Sequence, residues 1–291
     1  MPSVILVVDE SGSKGFSDNR ESVTGEFGVM AGLLIPAEYK SRVEVDVNYI
    51  ASKFHFSGKR HITTLRETDQ KNLRKEIFDY LLSRSARWVY EAIYVEGMHS
   101  WQKNLSEFTD MQRADSQSRI KRSQNKRSAS LHQELFTGVF GKSVEFCIDQ
   151  LGRNVSVDVV TDRVDDSVLK LFDEAAQKVL HVGNWKQKVS GYNPDSQKVV
   201  KGVITLKVTK GMEHFGDLSG VKHSIAVSQS ALTIVADVMV NSVHHHLRSL
   251  QSSKPGCALN TAEAIAGHPL ASIVYGVAEA QIADTVFRYP K

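Results

Sequence analysis

The run from Val4 to Val8 constrains the fold of this chain most strongly. These consecutive residues are apolar and mostly β-branched, which predicts a strand buried on both faces and therefore a sheet with helices on both sides. The strand is expected to end at the tetrapeptide Asp9-Glu10-Ser11-Gly12, and residues 25–35 predict a second strand that returns to pair with it. The apolar run is far shorter than the roughly 20 residues that a membrane-spanning helix needs.

Helical and extended patterns alternate along the rest of the chain, which indicates α/β architecture. No linker rich in Pro or Gly divides the sequence, so we expect one domain over 1–250 with a basic insertion at about 100–130. Residues 251–291 are expected to form a helical extension packed on that domain or on a dimer partner. The least ordered stretches are expected at 112–128 and 189–200. The predicted helices are 37–53, 68–82, 131–151, 166–179, 228–250 and 261–284, and the further predicted strands are 88–95, 155–160 and 203–208.

The charges are nearly balanced, with 36 Lys and Arg against 33 Asp and Glu, so a nucleic-acid site must be a local patch. Two cysteines do not indicate a disulfide framework and suit a reducing cytoplasm. One segment concentrates cations that would bind phosphates without reading bases, and a solvated flexible loop is the alternative interpretation. The cations of this basic segment are Arg113, Arg119, Lys121, Arg122, Lys126 and Arg127.

Three carboxylates occur where ligand groups are common in such folds. Asp9 and Asp162 each follow a predicted strand, and ligands of α/β sheets bind at strand ends, although turn or cap roles are also common there. Asp237 lies inside an otherwise apolar helical stretch, where burial of its charge costs several kcal/mol unless a cation or hydrogen bonds compensate. Asn241 and His244 share its helix face. Oxygen ligands of this kind suit Mg²⁺ or Mn²⁺.

Histidines supply two further candidates. His61 is expected either to contact phosphate or to act as an acid or base, because the pKa of an unperturbed imidazole lies near neutrality; an ordinary loop histidine is the alternative. The tract His244-His245-His246 is expected to lie on a surface or interface helix face. Adjacent helical positions point about 100° apart, so the tract alone does not form a zinc site.

The tetrapeptide Asp9-Glu10-Ser11-Gly12 after an apolar strand resembles the opening D-E-S-G signature of a bacterial family catalogued as domain of unknown function 3800. Ala236-Asp237 is similar to the alanine-aspartate pair that closes this family, and His61 before a helix is similar to its His or Lys. The resemblance covers about residues 3–250. The family usually has Gln two or three positions before the pair, whereas this chain has Ile234 and Thr233.

That family is similar to the ribonuclease H-like fold, a mixed sheet flanked by helices. The resemblance implies metal-dependent cleavage of nucleic-acid phosphodiesters, with Asp9, Asp162 and Asp237 holding Mg²⁺ or Mn²⁺. Glu134 or Glu10 would supply the fourth carboxylate. The resemblance also implies a role in antiphage defence, with a partner protein of a defence system.

Two other functions agree with the same residues. One is a catalytically inactive module that binds nucleic acid or a regulatory partner. The other is a metal-dependent phosphatase for a small phosphoester, which would need the carboxylates but not the basic segment. The small apolar residues of the tail from 261 to 284 also suggest burial against a second subunit, so a homodimer is a further hypothesis.

Overall fold

The fold is taken from a computed structural model, which describes most of the chain. It describes residues 1–13, 21–58, 60–100, 102–104, 107, 121–122, 130–162, 164–181, 186–193, 197–205, 218–253 and 261–277. Within these residues a five-stranded mixed sheet is flanked by helices, so the α/β prediction is confirmed at this level.

The sheet has the strand order β3-β2-β1-β5-β8. β1 is antiparallel to β2, and β2 is antiparallel to β3, whereas β5 and β8 extend the sheet in parallel with β1. Strands β4, β6 and β7 form a separate antiparallel sheet. The strands are β1 (Ser3–Gly12), β2 (Phe27–Pro36), β3 (Arg87–Tyr94), β4 (Lys121–Arg122), β5 (Ser156–Thr161), β6 (Lys186–Asn193), β7 (Lys198–Thr205) and β8 (Lys222–Val227).

Helices cover the two faces of the sheet because β1 alternates its side chains between them. Ile5 and Val7 pack into one apolar cluster with α1, α2 and α5, and Leu6 and Val8 pack into another with α3 and α4. Odd-numbered residues of β1 therefore face α5, and even-numbered ones face α3. The helices are α1 (Lys40–Ser52), α2 (Glu67–Ser83), α3 (Leu131–Leu151), α4 (Asp166–Leu180), α5 (Ala231–Ser253) and α6 (Thr261–Ile265).

β1 was expected to end at the acidic tetrapeptide, but the strand continues through it. Asp9 pairs with Ala31, and the pairing continues to Gly12 opposite Gly28. Gly12 has a φ of +85°, and a Cβ there would lie 2.4 Å from the carbonyl oxygen of Phe27. The tetrapeptide is thus a continuation of the strand, and its neighbouring side chains point to opposite faces.

Residues 189–193 and 198–200, from the stretch expected to be among the least ordered, belong to the hairpin of β6 and β7. The expectation for the tail is corrected. The tail is not one helix over 261–284: α6 is short, Gly267 has a φ of +82°, and a 3₁₀ turn covers Ala271–Ile273. Trp88 Nε1 donates to the carbonyl oxygen of Leu270 at 3.0 Å, which ties this tail to β3.

Among the described residues, no helix is both long enough and apolar enough to cross a lipid bilayer.

Candidate metal centre

Three side chains from distant parts of the sequence meet on the α5 face of the sheet. Asp9 comes from β1, His61 precedes α2, and Asp237 lies in the second turn of α5. One ligand atom of each lies within 4.8 Å of the others. Two carboxylates and one imidazole at this separation are a suitable donor set for one divalent cation. We call these three residues the metal-ligand group.

Asp237 is buried, with 4% of its surface exposed, and the segment before α2 compensates its charge. The backbone N–H of Ile62 donates to Oδ2 of Asp237 at 2.6 Å. His61 Nε2 lies 3.0 Å from Oδ1 of the same carboxylate. These contacts answer the question that the sequence raised, namely how a carboxylate is tolerated in an apolar helix.

The other ring nitrogen of His61 is fixed by Thr63. His61 Nδ1 accepts from the backbone N–H of Thr63 at 3.2 Å, and the Thr63 hydroxyl lies 2.8 Å from the same nitrogen. With Nδ1 as acceptor, the proton of a neutral imidazole sits on Nε2 and is donated to Asp237. Because a hydroxyl also accepts, the opposite tautomer can donate from Nδ1 to Thr63 and offer the Nε2 lone pair to a cation.

Asp9 has a strongly shifted acidity. Burial raises the pKa of Asp9 from 3.8 to about 8, and the charges of Glu10, Asp237 and, more weakly, Asp162 act in the same direction. The backbone N–H of Glu10 donates to the Asp9 carboxylate at 2.9 Å and opposes this shift. A carboxylate that is difficult to ionise among other carboxylates gains most from a nearby cation. The His61 side chain is 37% exposed, which leaves this side of the group open to solvent.

Asp162 lies near the metal-ligand group without belonging to it. It follows β5 directly, and the last paired residues of β1 and β5 are Val8 and Thr161. Its charge contributes to the raised pKa of Asp9. Among the described residues the close group contains only the three ligands named above, so Asp162 stays a predicted ligand of the same region.

The two candidates for the fourth carboxylate lie on the α3 side of the fold. Glu10 points away from Asp9, and its Oε2 lies 3.5 Å from Nε2 of His132 in α3. Glu134 lies in the first turn of α3. Burial raises the pKa of Glu134, and the charge of Lys178 in α4 offsets only part of this shift. Neither joins the metal-ligand group among the residues described.

The structure adds Arg74 of α2, which the sequence analysis did not single out. Its Nη2 donates to Oδ1 of Asn241 at 2.7 Å, one turn of α5 beyond Asp237. Burial lowers the pKa of Arg74, and the negative charge of Asp237 opposes this. The only available signal was a cation on the polar face of α2, which does not distinguish Arg74 from its neighbours.

The histidine tract has three separate environments, in agreement with its helical spacing. The His244 ring packs against Phe27 with ring centroids 4.8 Å apart. His246 Nε2 lies 3.1 Å from the carbonyl oxygen of Ala264, and His245 is exposed. The tract therefore does not gather around one ion.

The basic segment predicted to bind nucleic acid is described only at Lys121 and Arg122. These residues form β4 and pair with Tyr192 and Gly191 of β6. The remaining candidates lie outside the described residues: Arg113, Arg119, Lys126 and Arg127.

Comparison with known proteins adds no family or relative to this geometry. The chain matches no protein-family model, and no curated protein is significantly similar to it.

Proposed function

We propose that this protein is a divalent-metal-dependent nuclease that cleaves nucleic-acid phosphodiesters. In this proposal Asp9 and Asp237 hold Mg²⁺ or Mn²⁺. The proposal rests on one observation, the convergence of Asp9, His61 and Asp237 within 4.8 Å. The carboxylate oxygens suit Mg²⁺ and Mn²⁺, and the imidazole extends the range toward transition metals.

The proposed fold is ribonuclease H-like, and the positions of the acidic residues support it. Asp9 lies on the first strand of the five-stranded sheet, and Asp162 follows its fourth strand, β5. Glu134 lies in the helix that precedes β5, and Asp237 lies in the long helix after the last strand. The resemblance implied a metal-site role for Asp9, Asp162 and Asp237, with Glu134 or Glu10 as the fourth carboxylate.

In this proposal the cation and the side chains of the protein have separate roles. A divalent cation held by these carboxylates would polarise a phosphodiester and stabilise the charge that develops on its oxygens. Asp9 and Asp237 would fix the position of the cation, and Asp162 would add negative charge at its edge. His61 would add its Nε2 lone pair to the ligand set, with the Thr63 hydroxyl accepting from Nδ1 in that tautomer.

The test combines metal binding with cleavage. Asp9→Asn and Asp237→Asn should each lose Mn²⁺ binding in isothermal titration calorimetry and should cleave no member of a panel of single- and double-stranded DNA and RNA. Asp158→Asn is the matched control, because Asp158 is a carboxylate of β5 that accepts hydrogen bonds from Ser3 and Ser224. If both site variants bind Mn²⁺ and cleave as the parent protein does, the proposal is wrong.

A second candidate function is a binding module without catalysis. One observation favours it: both oxygens of Asp237 are already engaged, by Ile62 and by His61. Under this alternative the segment before α2 serves as a permanent substitute for a cation. Nucleic-acid binding would then be unaffected by Mg²⁺, and no substrate would be cleaved. A defence role and a partner protein remain predictions under either function.

A further inference from the structure

We propose that one face of α5, together with Arg74 of α2, binds the phosphate backbone of a nucleic-acid strand and leads it to the metal-ligand group. This inference rests on the proposed function for its ligand class. It differs from the sequence-based expectation, which assigned phosphate binding to the basic segment at 113–127.

The first support is the spacing of residues along α5. Asp237, Asn241, His245 and Arg248 are separated by four, four and three positions, so they lie on one face of the helix. At about 1.5 Å per residue this row is about 16 Å long. Its exposure increases along the row, from buried Asp237 through partly buried Asn241 to exposed His245 and Arg248. The row thus connects the metal-ligand group with the surface.

The second support is the state of the Arg74 guanidinium. Asn241 accepts from its Nη2 at 2.7 Å, which fixes the plane of the group beside the row. Its Nε is shielded from solvent and makes no hydrogen bond among the described residues. A buried N–H group without an acceptor is uncommon in native proteins and often indicates a missing ligand or water. The planar fork of arginine matches the oxygens of a phosphate.

The third support is the positive charge that Arg74 and Arg248 place beside this row of residues. Burial, then Arg74 and then Arg248 lower the pKa of His245, so both arginines act at this position of the row. Burial and then Arg248 also lower the pKa of the adjacent His244. Two arginines around neutral imidazoles provide positive charge and N–H donors beside a carboxylate cluster. A strand of phosphates bound there would present a phosphodiester to the metal-ligand group.

The test is binding in EDTA, so that its outcome does not depend on the metal. Fluorescence anisotropy with a labelled single-stranded oligodeoxynucleotide should be measured for the full chain at several KCl concentrations. Arg74→Gln and Arg248→Gln should each weaken binding, and each should reduce the slope of log affinity against log salt by about 0.7, the value for one lost phosphate contact on a single strand. Lys75→Gln is the control, since Lys75 is also in α2 but pairs with Asp79 on the exposed surface.

Arg74 also connects α2 to α5, so a folding defect has to be separated from a lost contact. Arg248 is exposed, and its variant should keep the thermal unfolding midpoint of the parent protein. Arg74→Lys keeps the charge without the fork and should lose less of the salt slope than Arg74→Gln. Parental affinity and salt slope in both glutamine variants, or no binding by the parent protein, would overturn the inference. Lost binding in these variants together with an absence of metal-dependent cleavage would support the inference and refute the nuclease proposal.

Discussion

The backbone N–H of Ile62 donates to Oδ2 of Asp237 at 2.6 Å, across 175 positions of sequence. Ile62 is fully buried, and its neighbour His61 engages the other oxygen of the same carboxylate. One short segment therefore supports the most deeply buried charge of the candidate site. The fold and the proposed chemistry depend on the same carboxylate, and substitutions at Asp237 can separate these two contributions.

Asp237→Asn should keep the fold and lose the metal, whereas Asp237→Ala should lose both. The asparagine still offers an oxygen to the Ile62 N–H, but alanine leaves this buried donor unpaired at a cost of about 1–3 kcal/mol. Urea denaturation measures the free energy of unfolding, and calorimetry measures Mn²⁺ affinity. Equal stability of the two variants would contradict a supporting role for this hydrogen bond.

The stability of the metal-free protein should fall as the pH rises from about 4 to about 8. The pKa of Asp9 is raised to about 8 in the folded protein, whereas an unperturbed Asp side chain, as in the unfolded chain, has a pKa of 3.8. The folded state therefore holds this proton more tightly than the unfolded state does. The contribution is fully present below the lower value and is lost as the pH approaches the upper one, with a slope of at most about 1.4 kcal/mol per pH unit.

Urea denaturation at a series of pH values tests this dependence. Asp9→Asn should lack this part of the slope, because the amide does not ionise. Saturating Mn²⁺ should reverse the slope in the parent protein, since a bound cation favours the ionised carboxylate. An identical pH dependence in the parent protein and in Asp9→Asn would assign the effect to other groups.

Thr63→Val should weaken Mn²⁺ binding by about 10- to 100-fold while leaving the free energy of unfolding nearly unchanged. The valine removes the hydroxyl 2.8 Å from His61 Nδ1 but keeps the backbone N–H that donates to the same nitrogen. The His61 ring would then be held in the tautomer that carries its proton on Nε2. In that tautomer Nε2 has no free lone pair for a cation. Nitrogen chemical shifts of labelled His61 report the tautomer directly, and Thr63→Ser should restore parental affinity.

His132→Ala should destabilise the protein without changing its metal affinity. Glu10 Oε2 and His132 Nε2 lie 3.5 Å apart with side chains only 7% and 8% exposed, and the His132 ring also packs edge-on against Phe172. The alanine removes these buried contacts and leaves a cavity, which should cost about 2–5 kcal/mol. A large decrease in Mn²⁺ affinity of His132→Ala would place Glu10 in the metal centre after all.

The main elements of the fold could be predicted where the hydrophobic pattern is strong. The helix Leu131–Leu151 has the predicted bounds because apolar residues recur along its whole length. β8 was not predicted, because each of its residues is exposed or only partly buried and His223-Ser224 resembles a polar loop. The tail was predicted as a helix from its small apolar residues. Gly267 in the left-handed region followed by Pro269 ends α6 instead.

Asp9, His61 and Asp237 could be singled out from the sequence, but Arg74 and Thr63 beside them could not. Asp237 is conspicuous because it interrupts an apolar helix, and Asp9 because it follows an apolar strand. Arg74 and Thr63 carry no such signal, since each acts through a partner that only folding supplies: Asn241 for Arg74 and the orientation of His61 for Thr63. The direction of Glu10 depended on how far β1 continues, which the sequence pattern did not reveal.

The continuation of β1 through Asp9 and Glu10 makes strand register a determinant of chemistry. Adjacent carboxylates serve opposite faces, one beside Asp237 and the other beside His132. A slip of one residue against β2 would exchange them, placing the longer side chain in the metal-ligand group and the shorter one under α3. An insertion or deletion of one residue between Val4 and Asp9 should therefore be more damaging than most substitutions there, because it would disable both faces at once.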